Sequence, residues 1–164
     1  MSFVTKGSVA FVTGANRGIG RALVEALLAR GAAKIYAGTR QPEALASLVA
    51  ASGGRLVPVR LDVTRPDQIK AAAAAAGDTT LLINNAGIVA RFGGAFTDAG
   101  WLTAGREEYE VNVLGTLAVT QAFAPILAAN GGGAVANVSS VAGLVAFELI
   151  ASYSASKAAV HSIT

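Results

Sequence analysis

The chain has 164 residues, no cysteine, a single histidine and a formal net charge of +3. That length suits one domain with a sizeable core. The lack of cysteine excludes a disulfide framework and a thiolate metal site. His161 stands alone and supports no metal role, and no lysine and arginine cluster interleaved with aromatics supports nucleic-acid binding.

The first residues, Met1 to Gly7, have no apolar core followed by a small-residue cleavage site and do not read as a signal peptide. A cytoplasmic, reducing location fits. Residues 8–13 form a short apolar run ending at Gly14, the mark of a buried strand. Over 18–30, Ile19, Leu23, Ala26 and Leu27 recur at helical spacing, and Gly31 follows as a cap. A second strand over 34–38 leads to a helix over 42–51 with Pro42 in its first turn. A third strand over 55–61, an alanine-rich helix over 66–76 and a fourth strand over 80–84 continue the alternation. Residues 92–105, rich in Gly, Ala and Thr and carrying Trp101, read as a loop. A long helix spans 107–129, with Tyr109, Val113, Leu117 and Ala124 on one stripe and Pro125 expected to bend it. A fifth strand over 134–139 and a helix over 152–164 follow. Strands separated by helices predict an α/β fold, a doubly wound parallel sheet with helices on both faces. No repeat or linker interrupts it, so the chain reads as a single domain.

Residues 111–147 contain no Asp, Glu, Lys or Arg. A membrane span has that character, but Asn112, Gly115, Gln121, Pro125 and Asn130 break the run. The better reading is a helix and a strand covered by neighbouring elements or by another subunit.

The first strand runs into Thr13-Gly14-Ala15-Asn16-Arg17-Gly18-Ile19-Gly20. A strand that must turn tightly into a helix whose free N–H groups face a pyrophosphate needs glycines there, because side chains would block the approach. Gly14, Asn16, Arg17, Gly18, Ile19 and Gly20 are therefore candidate cofactor contacts. It is not a Walker loop, since no Lys-Ser or Lys-Thr pair follows the last glycine. The end of the second strand selects the cofactor. An acidic residue there would bind the ribose hydroxyls of NAD; this chain has Thr39 and Arg40 instead. Arg40, with Arg17 on the same side, can grip a 2′-phosphate, which favours NADP(H) over NAD(H).

Tyr153 and Lys157, in Tyr-Ser-Ala-Ser-Lys, lie one turn apart on a helix. An ammonium beside a phenol favours the phenolate and draws the tyrosine pKa down from about 10, giving a poised acid/base. Many ordinary helices share that spacing, so its weight comes from the motifs upstream.

Taken together these motifs resemble the short-chain dehydrogenase/reductase family, in the family's order and over nearly the whole chain. Leu61-Asp62-Val63 is similar to the adenine-contacting segment, and Asn84-Asn85-Ala86-Gly87 to the motif beside the adenosine ribose. The resemblance thus adds Asp62, Val63, Asn85, Ala86 and Gly87 to the cofactor site. Asn112 matches the helix asparagine. Ser140, 13 residues before Tyr153, matches the catalytic serine, and that spacing rejects Ser139. What the resemblance implies is a Rossmann-type fold and a catalytic set of Asn112, Ser140, Tyr153 and Lys157. Tyr153 is the acid/base, Lys157 tunes it and holds the nicotinamide ribose, Ser140 steadies the substrate oxygen, and Asn112 holds a water linking Lys157 to solvent. No metal is required. The implied reaction is hydride transfer between nicotinamide and a carbonyl or secondary alcohol.

Family members continue well beyond the point where this sequence stops, with strands six and seven and the helices that cover the substrate. The chain therefore reads as a C-terminally truncated member, expected to have little turnover by itself, whose fifth strand would be an apolar edge. The resemblance further implies a homodimer or homotetramer through helices 107–129 and 152–164. The apolar loop containing Gly143, Leu144, Val145 and Phe147 hints at a hydrophobic small-molecule substrate. The alternatives are a non-catalytic dinucleotide-binding module, an inactive fragment, and a purely structural subunit.

Overall fold

Five short apolar strands line up in parallel. They are β1 (Val9–Thr13), β2 (Lys34–Thr39), β3 (Leu56–Arg60), β4 (Leu81–Asn84) and β5 (Ala134–Asn137). The order across the sheet is β3-β2-β1-β4-β5. The structure, a computed structural model, describes residues 4–95 and 97–164. Met1 to Phe3, which enter the signal-peptide reading, and Phe96, within the expected 92–105 loop, lie outside the described residues.

The helices are α1 (Gly18–Ala29), α2 (Ala46–Ala51), α3 (Pro66–Ala75), α4 (Gly100–Tyr109), α5 (Gly115–Ala129) and α6 (Ala151–Ser162). A strand covered on both faces must be apolar at successive residues, and β1 shows why. Ala10 and Val12 pack with Val24 and Leu27 of α1 in one core layer. Phe11, between them, packs with Ile69 of α3 and Phe123 of α5 in the other. The Phe11 and Phe123 rings lie 4.5 Å apart. Because β2 and β4 flank β1 on opposite sides, the chain reverses its winding there. Parallel strands diverge beyond such a point and leave a crevice at their C-terminal ends.

The expected loop over 92–105 is helical from Gly100 onward. Its Gly, Ala and Thr content argued for a loop, but Trp101 overrides that weak propensity. The indole is 7% exposed, and its Nε1–H donates to Ala95 O at 2.9 Å. The predicted stripe on the next helix is also corrected. Val113 is buried, but Tyr109, Leu117 and Ala124 are exposed. A π-helical turn at Glu110–Leu114, where Gly115 N–H reaches Glu110 O, inserts extra arc into the helix. The face turned inward is therefore Ala104, Glu108 and Asn112, then Thr116, Val119, Phe123 and Leu127. The helix runs on through Pro125.

By length and composition, the continuous helix Gly100–Ala129 could cross a membrane. Here Val119, Phe123 and Leu127 fill the sheet's core layer, the position of a core helix. The helix expected over 42–51 begins as a 3-10 turn, Pro42–Leu45. The fifth strand stops at Asn137, two residues early, and among the described residues pairs only with β4. It is the expected edge, with Val135 41% exposed.

Candidate active site

The turn from β1 into α1 is shaped by glycines with left-handed backbone, Gly14 at φ +66° and Gly18 at φ +53°. At Gly20 the constraint is space, since a Cβ would run into Gly14 O and Asn85 Nδ2. Thr13 ties this turn to the segment after β4. Its Oγ1 accepts from Asn85 N at 3.0 Å and Ala86 N at 2.9 Å. Asn85 Nδ2 in return donates to Thr13 O at 2.9 Å and Gly14 O at 3.2 Å. Among the described residues no side chain caps the N-terminus of α1, and no acidic residue sits in its first turn. Its leading N–H groups and the positive end of its dipole face outward, ready for an anion.

Beyond the strand ends lies an open cleft of about 370 Å³. Every residue assigned to cofactor binding lines it. From the glycine turn come Gly14, Asn16, Arg17, Gly18, Ile19 and Gly20; from the end of β2, Thr39 and Arg40; from beyond β3, Asp62 and Val63. Asn85, Ala86 and Gly87 follow β4, and Tyr153 and Lys157 project from α6. Leu61, in the segment similar to the adenine-contacting one, also lines it, as does Ser139, which the spacing to Tyr153 rejects as catalytic serine; sequence reasoning missed Ile88, Val89, Val111 and Val138. Most of these continue the chain past a strand's C-terminal end, so the rule that ligands bind there could have found them.

Arg17 and Arg40 are exposed at the mouth. The Asp62 carboxyl is held below its ordinary pKa: burial alone would raise it, but the Thr64 N–H and hydroxyl and the charges of Arg40 and Arg65 outweigh that. Asp62 Oδ1 accepts from Thr64 N at 3.0 Å and Thr64 Oγ1 at 2.8 Å.

At the other end, Lys157 is buried on α6, and its Nζ donates to Val138 O at 2.8 Å. Nζ lies 5.9 Å from the centre of the Tyr153 ring. Burial pushes the Lys157 amine below its ordinary pKa. Gly143 keeps α6 close, because a Cβ there would meet the Lys157 carbonyl at 2.6 Å.

Asn112 and Ser140 do not line the cleft. Asn112 is fully buried and its side chain is committed. Oδ1 accepts from Ile88 N at 2.8 Å, and Nδ2 donates to Ile88 O at 3.0 Å and Ser156 Oγ at 2.9 Å. Ser140 Oγ accepts from Ala142 N at 3.2 Å, capping a 3-10 turn at Val141–Gly143, while Ser139 reaches the cleft wall. A space at Gly87 lies 3.2 Å from Asn112 Oδ1 and 3.6 Å from Lys157 Nζ, measured from where a Cβ would stand. Among the described residues no group of acidic and histidine side chains could hold a metal.

The groups present fit a dinucleotide. Gly14 and Gly20 leave no room for side chains, the uncapped start of α1 can take a pyrophosphate, and a phenol and an amine close the far end. The fold is a doubly wound parallel sheet with an open cleft beyond its strand ends. The sequence pattern described as short chain dehydrogenase matches residues 8–164, and the chain belongs to that family.

A crystal structure of a short chain dehydrogenase from Burkholderia cenocepacia J2315 in complex with NADP is 48% identical, with a TM-score of 0.89 over 99% of this chain and 65% of its own. One from Burkholderia phymatum in complex with NAD is 35% identical, with a TM-score of 0.87 over 99% of this chain and 59% of its own. The short chain dehydrogenase pigC of Monascus ruber is 35% identical over 93% of this chain and 54% of its own length. The chain thus spans between about half and two-thirds of the length of these relatives.

Proposed function

We propose that this chain is the cofactor-binding and proton-transfer part of an NADP(H)-dependent oxidoreductase. It moves hydride between nicotinamide and a carbonyl or secondary alcohol. The observation that supports this best is one cleft holding both the glycine turn and the Tyr153/Lys157 pair. When bound, the nicotinamide supplies the hydride. Tyr153 gives its proton to the carbonyl oxygen in reduction and takes it back in the reverse direction. Lys157, its Nζ 5.9 Å from the centre of the Tyr153 ring, holds the nicotinamide ribose. Ser140 Oγ already accepts the Ala142 N–H, which leaves its own proton free to donate to the substrate oxygen. Asn112 fixes the turn at Ile88 and the helix at Ser156, and serves the route by which Lys157 and Tyr153 regain a proton.

Arg17 and Arg40 at the cleft mouth, with no carboxylate at the end of β2, favour the 2′-phosphate of NADP(H). The relative that binds NADP is consistent with this choice. The substrate is a hydrophobic carbonyl or alcohol, since Leu144, Val145 and Phe147 are exposed on the loop after β5. Tyr109, Leu114 and Leu117 form an exposed apolar face on the long helix, suited to a second copy in a homodimer or homotetramer. The setting is cytoplasmic.

The test is Tyr153→Phe in the full-length protein. Turnover should fall about 10³-fold, within the range of general acid–base catalysis, while NADPH titration by fluorescence stays unchanged. Undiminished turnover would sink the assignment. A native protein that binds NADPH but reduces no carbonyl would point to a non-catalytic binding module.

A further inference from the structure

One turn before Asn112 on the same helix face stands Glu108, a carboxylate with no exposed surface. Its Oε1 accepts from Ala90 N at 2.8 Å. Asn112 holds Ile88 at both its N–H and its carbonyl. Two side chains on one inward face therefore clamp alternate residues of the segment after Gly87, and that segment carries Ile88 and Val89 into the cleft wall. Ala90 itself is exposed, and among the described residues no other group accepts its N–H.

The same face meets α6. A Cβ at Gly105 would stand 3.6 Å from Ser152 Cβ, and Asn112 Nδ2 bonds Ser156 Oγ. Glu108 lies between Gly105 and Asn112, and so between those two contacts with α6, the helix that carries Tyr153 and Lys157. Its Oε2 and the Ser152 hydroxyl oxygen are both buried without a hydrogen-bond partner among the described residues. A buried carboxylate with one hydrogen bond is costly to a fold. Tight packing alone would be better served by an apolar side chain of that size.

We propose that Glu108 is a positioning residue for the nicotinamide end of the cleft: through Ala90 it sets the wall formed by Ile88 and Val89 against the Tyr153 helix. The inference rests on the dinucleotide reading above. It makes the geometry at Tyr153 depend on a residue that touches neither cofactor nor substrate. Effects of this kind act through orientation, where a displacement of about 1 Å can cost on the order of 100-fold in rate.

Two ligands separate the ends of the cleft: NADPH spans both, and 2′,5′-ADP fills only the adenosine end. In Glu108→Leu, NADPH should bind about 10-fold more weakly and kcat should fall by at least as much, as expected from a lost hydrogen bond to a charged group. Binding of 2′,5′-ADP should stay within about twofold on that reasoning. Glu108→Gln keeps the acceptor and should restore NADPH binding and kcat relative to the leucine variant. A leucine variant that weakens both ligands equally, or neither, overturns the inference. Should it fail to fold, the native protein decides. The Ala90 amide should exchange at least about 100-fold more slowly than an unstructured one, although Ala90 is exposed. Exchange at the unprotected rate overturns the inference. A native protein that binds neither ligand removes the dinucleotide reading and this one with it. Normal binding with an unprotected Ala90 amide removes this one alone.

Discussion

The two ends of the cleft are built from different materials. At the glycine-turn end the contacts are backbone: positive-φ glycines, the uncapped start of α1, and main-chain groups pinned by Thr13 and Asn85. These elements grow out of β1 and β4, neighbouring interior strands that are almost wholly buried. At the Tyr153 end the contacts are side chains on α6, approached by β5, an edge strand, and by a loop whose Leu144 is 69% exposed. A site made of backbone tolerates almost any side chain that leaves it room. A site made of side chains depends on whatever holds their helix in place, here Gly143, Asn112 and Ser156.

The largest effect outside Tyr153 follows from adding one methyl group at the backbone end. Gly20→Ala places a Cβ against Gly14 O and Asn85 Nδ2. Overpacking of this kind costs about 1–3 kcal/mol of stability. Spoiling one charge-assisted hydrogen bond to a phosphate costs roughly 1.5–3 kcal/mol, so NADPH binding should weaken by about 10- to 100-fold. Titration and thermal unfolding would both register it. A Gly20→Ala chain that binds NADPH normally would break the claim that this end is a backbone cradle.

Arg40→Ala sharpens the same end without touching the cradle. Losing one charged contact to the 2′-phosphate should weaken NADPH about 10-fold and leave NADH nearly unchanged. Equal losses for both cofactors would show that Arg40 does not read the 2′-phosphate.

The backbone end was also the more legible from sequence, for a physical reason. Glycine spacing and strand ends dictate main-chain geometry directly, so Gly14, Gly18, Gly20, Arg40 and Asp62 were found from local pattern and resemblance, and all line the cleft. The long helix was harder. A period of 3.6 predicts its stripe, and the π turn at Glu110–Leu114 shifts the phase, so Tyr109 and Leu117 face outward and Glu108 inward. A charged residue gives no local sign that it will be buried, because the sign lies in the loop it meets, residues apart in sequence. Trp101 made the same point in reverse: a buried indole turned a Gly- and Thr-rich segment into a helix. Ser140 and Asn112 come from motif alone, and neither lines the cleft: Ser140 Oγ accepts from Ala142 N, and Asn112 bonds Ile88 and Ser156.

The smallest effect tests what holds the side-chain end. Lys157 is buried with its amine on a carbonyl, and burial lowers its pKa from 10.5. Between the lowered folded value and 10.5, the unfolded chain binds more protons than the folded one. Stability contributed by this group therefore rises with pH across that window and is at its lowest below it. Lys157→Met removes the titration. The difference in thermal midpoint, native minus variant, should become more favourable to the native chain as pH is raised from 7 toward 10, by on the order of 1–2 °C. Groups remote from Lys157 cancel in the difference. A change of the opposite sign would mean that Lys157 is held by a negative charge and not by a carbonyl, and the Tyr153 end would then share the electrostatic character of the arginines at the cleft mouth.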